Sequence, residues 1–367
     1  MHERVRRIAA HFAIPGALRR AEPHGSGHIH ETLLAEYEHA GTLSRFLHQR
    51  LNTAIFRDPE GLMRNVVRVT DHLRAKILQR GVAEPERRCL QVVRTTTGAP
   101  LYVDARGDAW RTYVFIENAH SLDTCRRPEQ AAQAARAFGA FVSDLADLDP
   151  DTLAETIPGF HDLVGRAEAL EAALRADSLG RASGVAAEVE RLRAHGARLR
   201  RELDARDAAS APRRIVHNDC KINNVLFDDA SSEALCVVDL DTVMPGRVLS
   251  DFGDLARTAT CPAPEDETDL SRVRVDLDLF RALARGYRSG AGALLTPAEA
   301  RLLPLAGPAL ALENALRFLS DHLQGDVYFR THHPGHNLER CRSQLRLLEC
   351  MLAALAEAQR IVEEARP

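Results

Sequence analysis

Lysine is almost missing from this 367-residue chain: of its 48 basic residues only Lys76 and Lys221 are lysine, and the rest are arginine. The 52 acidic residues outweigh them, leaving a formal net charge of -4. That balance supplies no field of the kind that draws in nucleic acid or an anionic membrane surface. Long apolar runs are missing too. No stretch approaches the ~18 consecutive apolar residues that a membrane span requires, and MHERVRRIAAHFAIPG at the start carries too much charge for a secretory leader. The seven cysteines, Cys89, Cys125, Cys220, Cys236, Cys261, Cys341 and Cys350, form no C-x-x-C pair and no zinc-ligand spacing. Their odd number excludes a complete disulfide framework. These absences lead to the expectation of a soluble, cytoplasmic protein with reduced thiols and neither a nucleic-acid nor a membrane partner. What is present, 45% hydrophobic residues over 367 positions, is enough for more than one core and suits a two-lobed chain.

The rest is organised around one stretch, RRIVHNDCKINNVLFDDASSEALCVVDLDTVMPGRVLSDFGDLAR, from Arg213 to Arg257. Two short apolar runs, Val225-Phe227 and Ala234-Val238, flank an acidic turn, and each ends in a cluster of Asp and Asn. His217-x-Asp219-x4-Asn224 sets an acid and an amide on one loop, and Asp239 follows the next strand. In phosphoryl transfer a carboxylate must meet the attacking hydroxyl, while an Asn and a second Asp hold Mg²⁺ on the nucleotide phosphates. Asp219, Asn224 and Asp239 fit those three posts, and Lys221 fits a point charge beside the moving phosphate. Asp241, one strand step further, is expected to share a second metal or to contact substrate. The D-F-G at Asp251-Phe252-Gly253 is a decoy: Asp251 and Asp254 read as buried acids that hydrogen-bond the catalytic-loop backbone or cap a helix starting near Leu255.

HNDCKINNVLF, VVDLDTVMPG and SDFGDLAR resemble the aminoglycoside-phosphotransferase-like kinases, most closely the N-acetylhexosamine 1-kinase branch. GSGHIHET at 25-32, FLHQRLN at 46-52 and RFLSDHLQGDVYF at 317-329 extend the resemblance over most of the chain. It implies an α/β, protein-kinase-like fold, with a nucleotide-binding lobe of antiparallel strands at 1-118 and a mainly helical lobe at 119-367 that carries the catalytic loop and substrate site. It also implies Mg²⁺ as cofactor and ATP as co-substrate. The expected reaction is transfer of the γ-phosphate to a sugar hydroxyl, the anomeric one of an N-acetylhexosamine. Competing readings are a kinase for another alcohol, such as homoserine, choline or an aminoglycoside, and a nucleotide-binding module without turnover. The assembly is expected to be a monomer or homodimer.

In chain order, a short helix at 3-13 precedes strands from Leu18 to Asn52. The Gly25-Ser26-Gly27 turn between them lets backbone N–H groups approach phosphate, and the neighbouring His28 is assigned to the acceptor. Arg50 ends the third strand and stands in for the phosphate-binding lysine, supported by the basic residue that the resembled branch carries there; its carboxylate partner is left between Glu60 and Asp71. Asp58-Pro59 opens a helix with Leu62, Val66, Val69, Leu73 and Ile77 on one face and Gly81 as its stop. Strands are expected at 89-96, 100-104 and 110-117. By resemblance, the end of the last strand, Phe115, Glu117 and Asn118, is the hinge that meets adenine. An Ala-rich helix follows from Pro128. Phe160-His161 is then expected to face the substrate cleft ahead of an amphipathic helical pair. Further helices are expected at 268-289, 296-323 and 336-364. Arg317, Asp326 and Tyr328, with Asp321 beside them, combine forked donors, acceptors and an aromatic face, a mixture suited to a neutral sugar.

Overall fold

The structure is a computed structural model that describes residues 2–25 and 29–365. The chain begins with α1 (His2–Ala9), β1 (Ala17–Pro23), β2 (Glu31–His39), β3 (Thr42–Arg50) and α2 (Pro59–Gln79). Short strands follow: β4 (Val92–Val93), β5 (Tyr102–Val103), β6 (Ala109–Val114) and β7 (Ala119–Ser121). Then come α3 (Pro128–Asp144), α4 (Leu163–Ala176), α5 (Ala186–Ala205), β8 (Arg214–Val216), β9 (Val225–Asp228), β10 (Ala234–Val237) and β11 (Met244–Gly246). The chain closes with α6 (Val248–Ala259), α7 (Leu277–Ala291), α8 (Pro297–Gln324), α9 (His336–Ala353) and α10 (Leu355–Glu364).

The chain forms two compact units, one of residues 1–120, 147–158 and 226–245, the other of 121–146, 159–225 and 246–367. In the first, an antiparallel sheet runs in the order β1-β2-β3-β6-β4, with β5 also on β6. Register is set by alternation: Leu33, Ala35 and Tyr37 on β2 and Phe46 on β3 join Trp110 in one buried cluster with Val5, Ile8 and Phe12. The helix α2 follows its sequence signals closely. The Asp58 carboxylate accepts from the Gly61 N–H at 2.8 Å, Pro59 is the first helical residue, and Leu62, Val66, Val69, Leu73 and Ile77 are buried. The expected stop, Gly81, takes a left-handed φ of 64°.

The second unit is helical, with its core built on α8 against α4, α5 and α9. Several helix boundaries differ from expectation, and the short helix expected at 3-13 ends at Ala9. The helix expected at 268-289 begins at Leu277, because Asp276 caps it by accepting from the N–H groups of Asp278 and Leu279. The span expected at 336-364 is two helices, broken at Ala354. Among the described residues no helix is long and apolar enough to cross a membrane, and all seven cysteines are free thiols.

Candidate active site

In the helical unit, the loop between β8 and β9 carries the first group of expected site residues. Ile215 and Val216 bury the end of β8, and His217 is wedged edge-on against Phe138 and Phe141 at ring distances of 5.3 and 5.8 Å. Asn218 then turns with φ of 65°, a left-handed conformation that Asn tolerates better than most residues. The N–H groups of His217 and Asn218 both donate to Asp251, at 3.0 and 2.7 Å. Asp251 is therefore the backbone anchor its sequence position suggested, and burial pushes its carboxyl up. Its helix, however, starts at Val248 rather than near Leu255, so Asp251 anchors the loop from inside the first turn. Gly246 leaves room for the loop: a Cβ there would lie 2.4 Å from a Val216 methyl and 2.9 Å from the Asn218 amide oxygen.

Asp219 follows, with one carboxylate oxygen 2.8 Å from the Lys221 ammonium. The other accepts from the Asn224 amide at 3.1 Å, and the same amide donates to the Asp219 carbonyl at 2.8 Å. Desolvation would push the Asp219 carboxyl up, but Lys221, His217 and the Asn224 amide outweigh it and hold the group below its ordinary value. Lys221 is raised: the negative charges of Asp219 and Asp254 outweigh its desolvation. The pair keeps access to solvent, with Lys221 41% and Asp219 23% exposed. The result is an ionised carboxylate with a cation beside it. Because the Asn224 NH₂ group is turned to Asp219, its amide oxygen points the other way, a hard oxygen of the kind Mg²⁺ takes.

Arg317, on α8, has its guanidinium carbon 5.5 Å from the Phe160 ring, 5.8 Å from Tyr328 and 5.2 Å from Phe329. Asp321 builds this corner. Its carboxylate accepts from the N–H groups of Val327, Tyr328 and Phe329 at 2.8 to 3.0 Å and so holds the loop that presents Tyr328. Asp326, expected to face the substrate, is instead engaged by Arg181 and Asn337, each at 2.9 Å. His161 makes a contact the sequence did not suggest: its ring lies against the Asn218 carbonyl and Glu313.

The sheet unit carries the remaining expected residues. Gly25 has φ of 78° with open space around it, and just before it a 3.0 Å bond from the His24 N–H to the Thr32 carbonyl continues the β1-β2 pairing. Ser26, Gly27 and His28 lie outside the described residues. Arg50 pairs with Glu31 at 3.0 Å and Asp108 at 3.1 Å, so its carboxylate partners are neither Glu60 nor Asp71. At the expected hinge, Arg45 lies over the Phe115 ring at 4.5 Å and forks onto the Glu117 carboxylate. Arg87 donates to the carbonyls of Glu117 and Asn118 at 3.2 and 2.9 Å.

Asp239 comes two residues after the end of β10 with φ of 60° and leads into a single 3₁₀ turn, Leu240–Thr242. Asp241, on that turn, was expected to share a metal or touch substrate, but both its oxygens already have partners. Arg111 forks onto them, and His30, whose Nδ1 accepts from the Asn52 N–H, donates from Nε2. Asp241 is 2% exposed; desolvation pushes its carboxyl up, yet Arg111 and His30 hold it far below the usual carboxylate range. The sequence signal for Arg111 was one charge inside the buried strand Ala109–Val114. His30 carried no such signal, and His161 was expected to face the substrate cleft rather than to hold the Asn218 carbonyl.

Among the described residues no three His, Cys, Asp or Glu side chains form a cage for a metal ion. Magnesium on nucleotide phosphates needs only one or two protein oxygens, so Asn224 and an Asp are a sufficient donor set.

The family described as Phosphotransferase enzyme family matches residues 21–292. Similar solved structures include an aminoglycoside phosphotransferase from Alicyclobacillus acidocaldarius, at 14% identity and a TM-score of 0.66 over 98% of this chain and 96% of the other. A microcompartment-associated aminopropanol kinase is similar at 15% identity and a TM-score of 0.61, covering 97% and 98%. A spectinomycin phosphotransferase in complex with ADP and spectinomycin follows at 12% identity and 0.54, covering 96% and 97%. At these identities the likeness establishes a shared kinase-like fold.

Proposed function

The chain belongs to the phosphotransferase enzyme family, and from that premise we propose that it is a Mg²⁺-dependent kinase that moves the γ-phosphate of ATP to a hydroxyl of a small sugar, the anomeric hydroxyl of an N-acetylhexosamine. The observation that carries this reading is the Asp219 carboxylate, kept ionised by Lys221 and steered by Asn224 on a loop anchored to Asp251. That is the equipment of a group that receives a hydroxyl proton.

In the proposed reaction Asp219 orients the acceptor hydroxyl and takes its proton as the oxygen attacks the γ-phosphorus. The bond from that phosphorus to the bridging oxygen breaks, and ADP leaves. Lys221 faces the charge on the moving phosphoryl group. Asn224 and Asp239 are the proposed metal ligands, at the entrance and exit of the β9-β10 hairpin along the chain. Bound magnesium neutralises phosphate charge. With its oxygens taken by Arg111 and His30, Asp241 is proposed to shape the 3₁₀ turn after Asp239. For the nucleotide we propose the Gly25-Ser26-Gly27 turn, Arg50, and the backbone at Phe115, Glu117 and Asn118. Arg50 would exchange one of its carboxylate partners for a phosphate oxygen.

For the acceptor we propose His28, Arg317 and Tyr328. The similar kinases are named for amine-bearing acceptors, aminoglycosides and aminopropanol. Arg317 favours a different choice, because a guanidinium framed by aromatic rings repels an ammonium group and donates well to carbonyl and hydroxyl oxygens. A panel of N-acetylated sugars, neutral hexoses, amino alcohols and aminoglycosides, read by ADP release, tests this directly. Turnover confined to the cationic acceptors would overturn the sugar reading, and none on any acceptor would favour a nucleotide-binding module.

A further inference from the structure

The His161 ring is held between two acceptors within the helical unit. Its Nε2 lies 2.8 Å from the Asn218 carbonyl oxygen, and its Nδ1 lies 3.1 Å from each oxygen of Glu313. The two side chains are 12% and 3% exposed, and Phe160 covers the ring at 4.6 Å. A neutral imidazole has one N–H and satisfies only one of these acceptors. With a carbonyl on one side and a carboxylate on the other, the form that fits is the imidazolium, with a proton on each nitrogen.

The peptide this cation touches is the one that leads into Asp219. On the incoming side, Asp251 accepts the N–H groups of His217 and Asn218; on the outgoing side, His161 donates to the Asn218 carbonyl. Asn218 stands between an anion and a cation in a left-handed conformation, φ 65°, that few residues adopt unaided. Rotating the Asn218 carbonyl rotates the peptide N–H of Asp219 with it, and with that the direction in which the Asp219 side chain leaves the loop.

We propose that His161 and Glu313 form a positioning pair for Asp219: Glu313 keeps the ring charged, and the charged ring fixes the Asn218 carbonyl and so the approach of the Asp219 carboxylate to the acceptor hydroxyl. The proposal rests on the kinase reading of Asp219. A tie that merely joined the Phe160-His161 segment to α8 would work as well with a neutral amide at either position, whereas this role requires the charge.

The charged groups that act on the ring are Glu313 from α8 and Asp254 from α6. Arg166 from α4 and Arg317 are the cations beside Glu313 and Phe160. Desolvation lowers the ring's affinity for its second proton, but Glu313, the Asn218 carbonyl and Asp254 outweigh it and raise the ring above its ordinary value. The ring is therefore charged below its raised pKa and loses the charge as pH climbs through it, so turnover should fall on the alkaline side.

Two measurements decide the matter, ¹⁵N NMR of the histidine rings in the wild-type protein at pH 7 and the pH profile of kcat for wild type, Glu313→Gln and His161→Gln. The expected spectrum includes a ring with protons on both nitrogens that is absent in His161→Gln. Glu313→Gln should move the alkaline limb of kcat toward neutral pH by about one unit while KM for the nucleotide stays within about twofold. His161→Gln should lose that limb and lower kcat roughly tenfold to a hundredfold, the worth of a charge-assisted hydrogen bond. If His161→Gln does not fold, the spectrum and Glu313→Gln still decide. A neutral His161 at pH 7, or a Glu313→Gln profile that superimposes on wild type, would overturn the proposal. Failure of the kinase reading would look different, a wild-type protein that turns over no acceptor at any pH, and it would remove the proposal as well.

Discussion

At the scale of single residues, surroundings divide the acids of the central stretch among separate tasks. Asp219 keeps an ionised carboxylate with access to solvent, Asp251 spends both oxygens on backbone N–H groups, and Asp241 is closed in by Arg111 and His30. Asp241→Asn should therefore strand a buried guanidinium, at a cost of about 3–5 kcal/mol in chemical denaturation; a change under ~1 kcal/mol would contradict the buried pair. His48 gives a pH prediction. It is fully buried between the Tyr37 hydroxyl and Thr112 Oγ1, each at 2.8 Å, and burial lowers it from 6.5 to about 4. The unfolded chain then binds a proton that the folded one refuses between those values. Stability should be full above pH 6.5 and fall by up to ~3 kcal/mol as the pH drops toward 4, and His48→Gln should flatten that slope in urea titrations. The sequence exposed Asp219, Lys221 and Asn224 because they fall within six positions of one loop. It could not expose the partners of Asp241, 130 and 211 residues away, or those of His161, 57 and 152 away. Such contacts are set by packing and leave no local pattern.

At the scale of elements, helices with their own start signals were legible and those shaped by neighbours were less so. Asp58-Pro59 with an apolar face gave α2 to within a residue or two. The start of α7 lies at Leu277, nine residues after the expected 268, because the chain is capped only at Asp276; the SRVRVD run before it alternates with a period of two and carries no helical stripe. Glycine also carries meaning at this scale. On the facing surfaces of α3 and α7, a Cβ at Gly286 would sit 2.2 Å from the Ala132 carbonyl oxygen, and one at Gly290 would sit 2.2 Å from that of Arg136. The two helices approach backbone to backbone, and neither can yield by moving a side chain. Gly286→Ala should cost about 1–3 kcal/mol or more in thermal or urea unfolding, although alanine is the better helix former. A stabilised variant would show that the helices are not so close. Because α3 also supplies Phe138 and Phe141 against His217, a loosened pair should lower turnover as well.

At the scale of the whole molecule, the family and the kinase-like fold were legible because the motifs that carry them are contiguous, and the fold comparisons cover nearly the entire chain. A boundary at 118/119 treats each lobe as one stretch, whereas segments 147–158 and 226–245 group with the first unit, so Asp239 and Asp219 belong to different units. A ligand that engages only the folded protein adds about 2.7 kcal/mol at a hundredfold excess over Kd. Mg·ATP should accordingly raise the unfolding temperature, and EDTA should remove most of that rise if Asn224 and Asp239 act through the metal; a rise unaffected by EDTA would contradict their assignment. The most direct test of the central claim is the rate of acceptor-dependent ADP release by Asp219→Asn beside wild type, at saturating Mg·ATP. Loss of the proton acceptor should lower kcat by roughly 10²–10⁴ with little change in nucleotide affinity, and a variant that keeps wild-type turnover would contradict the account.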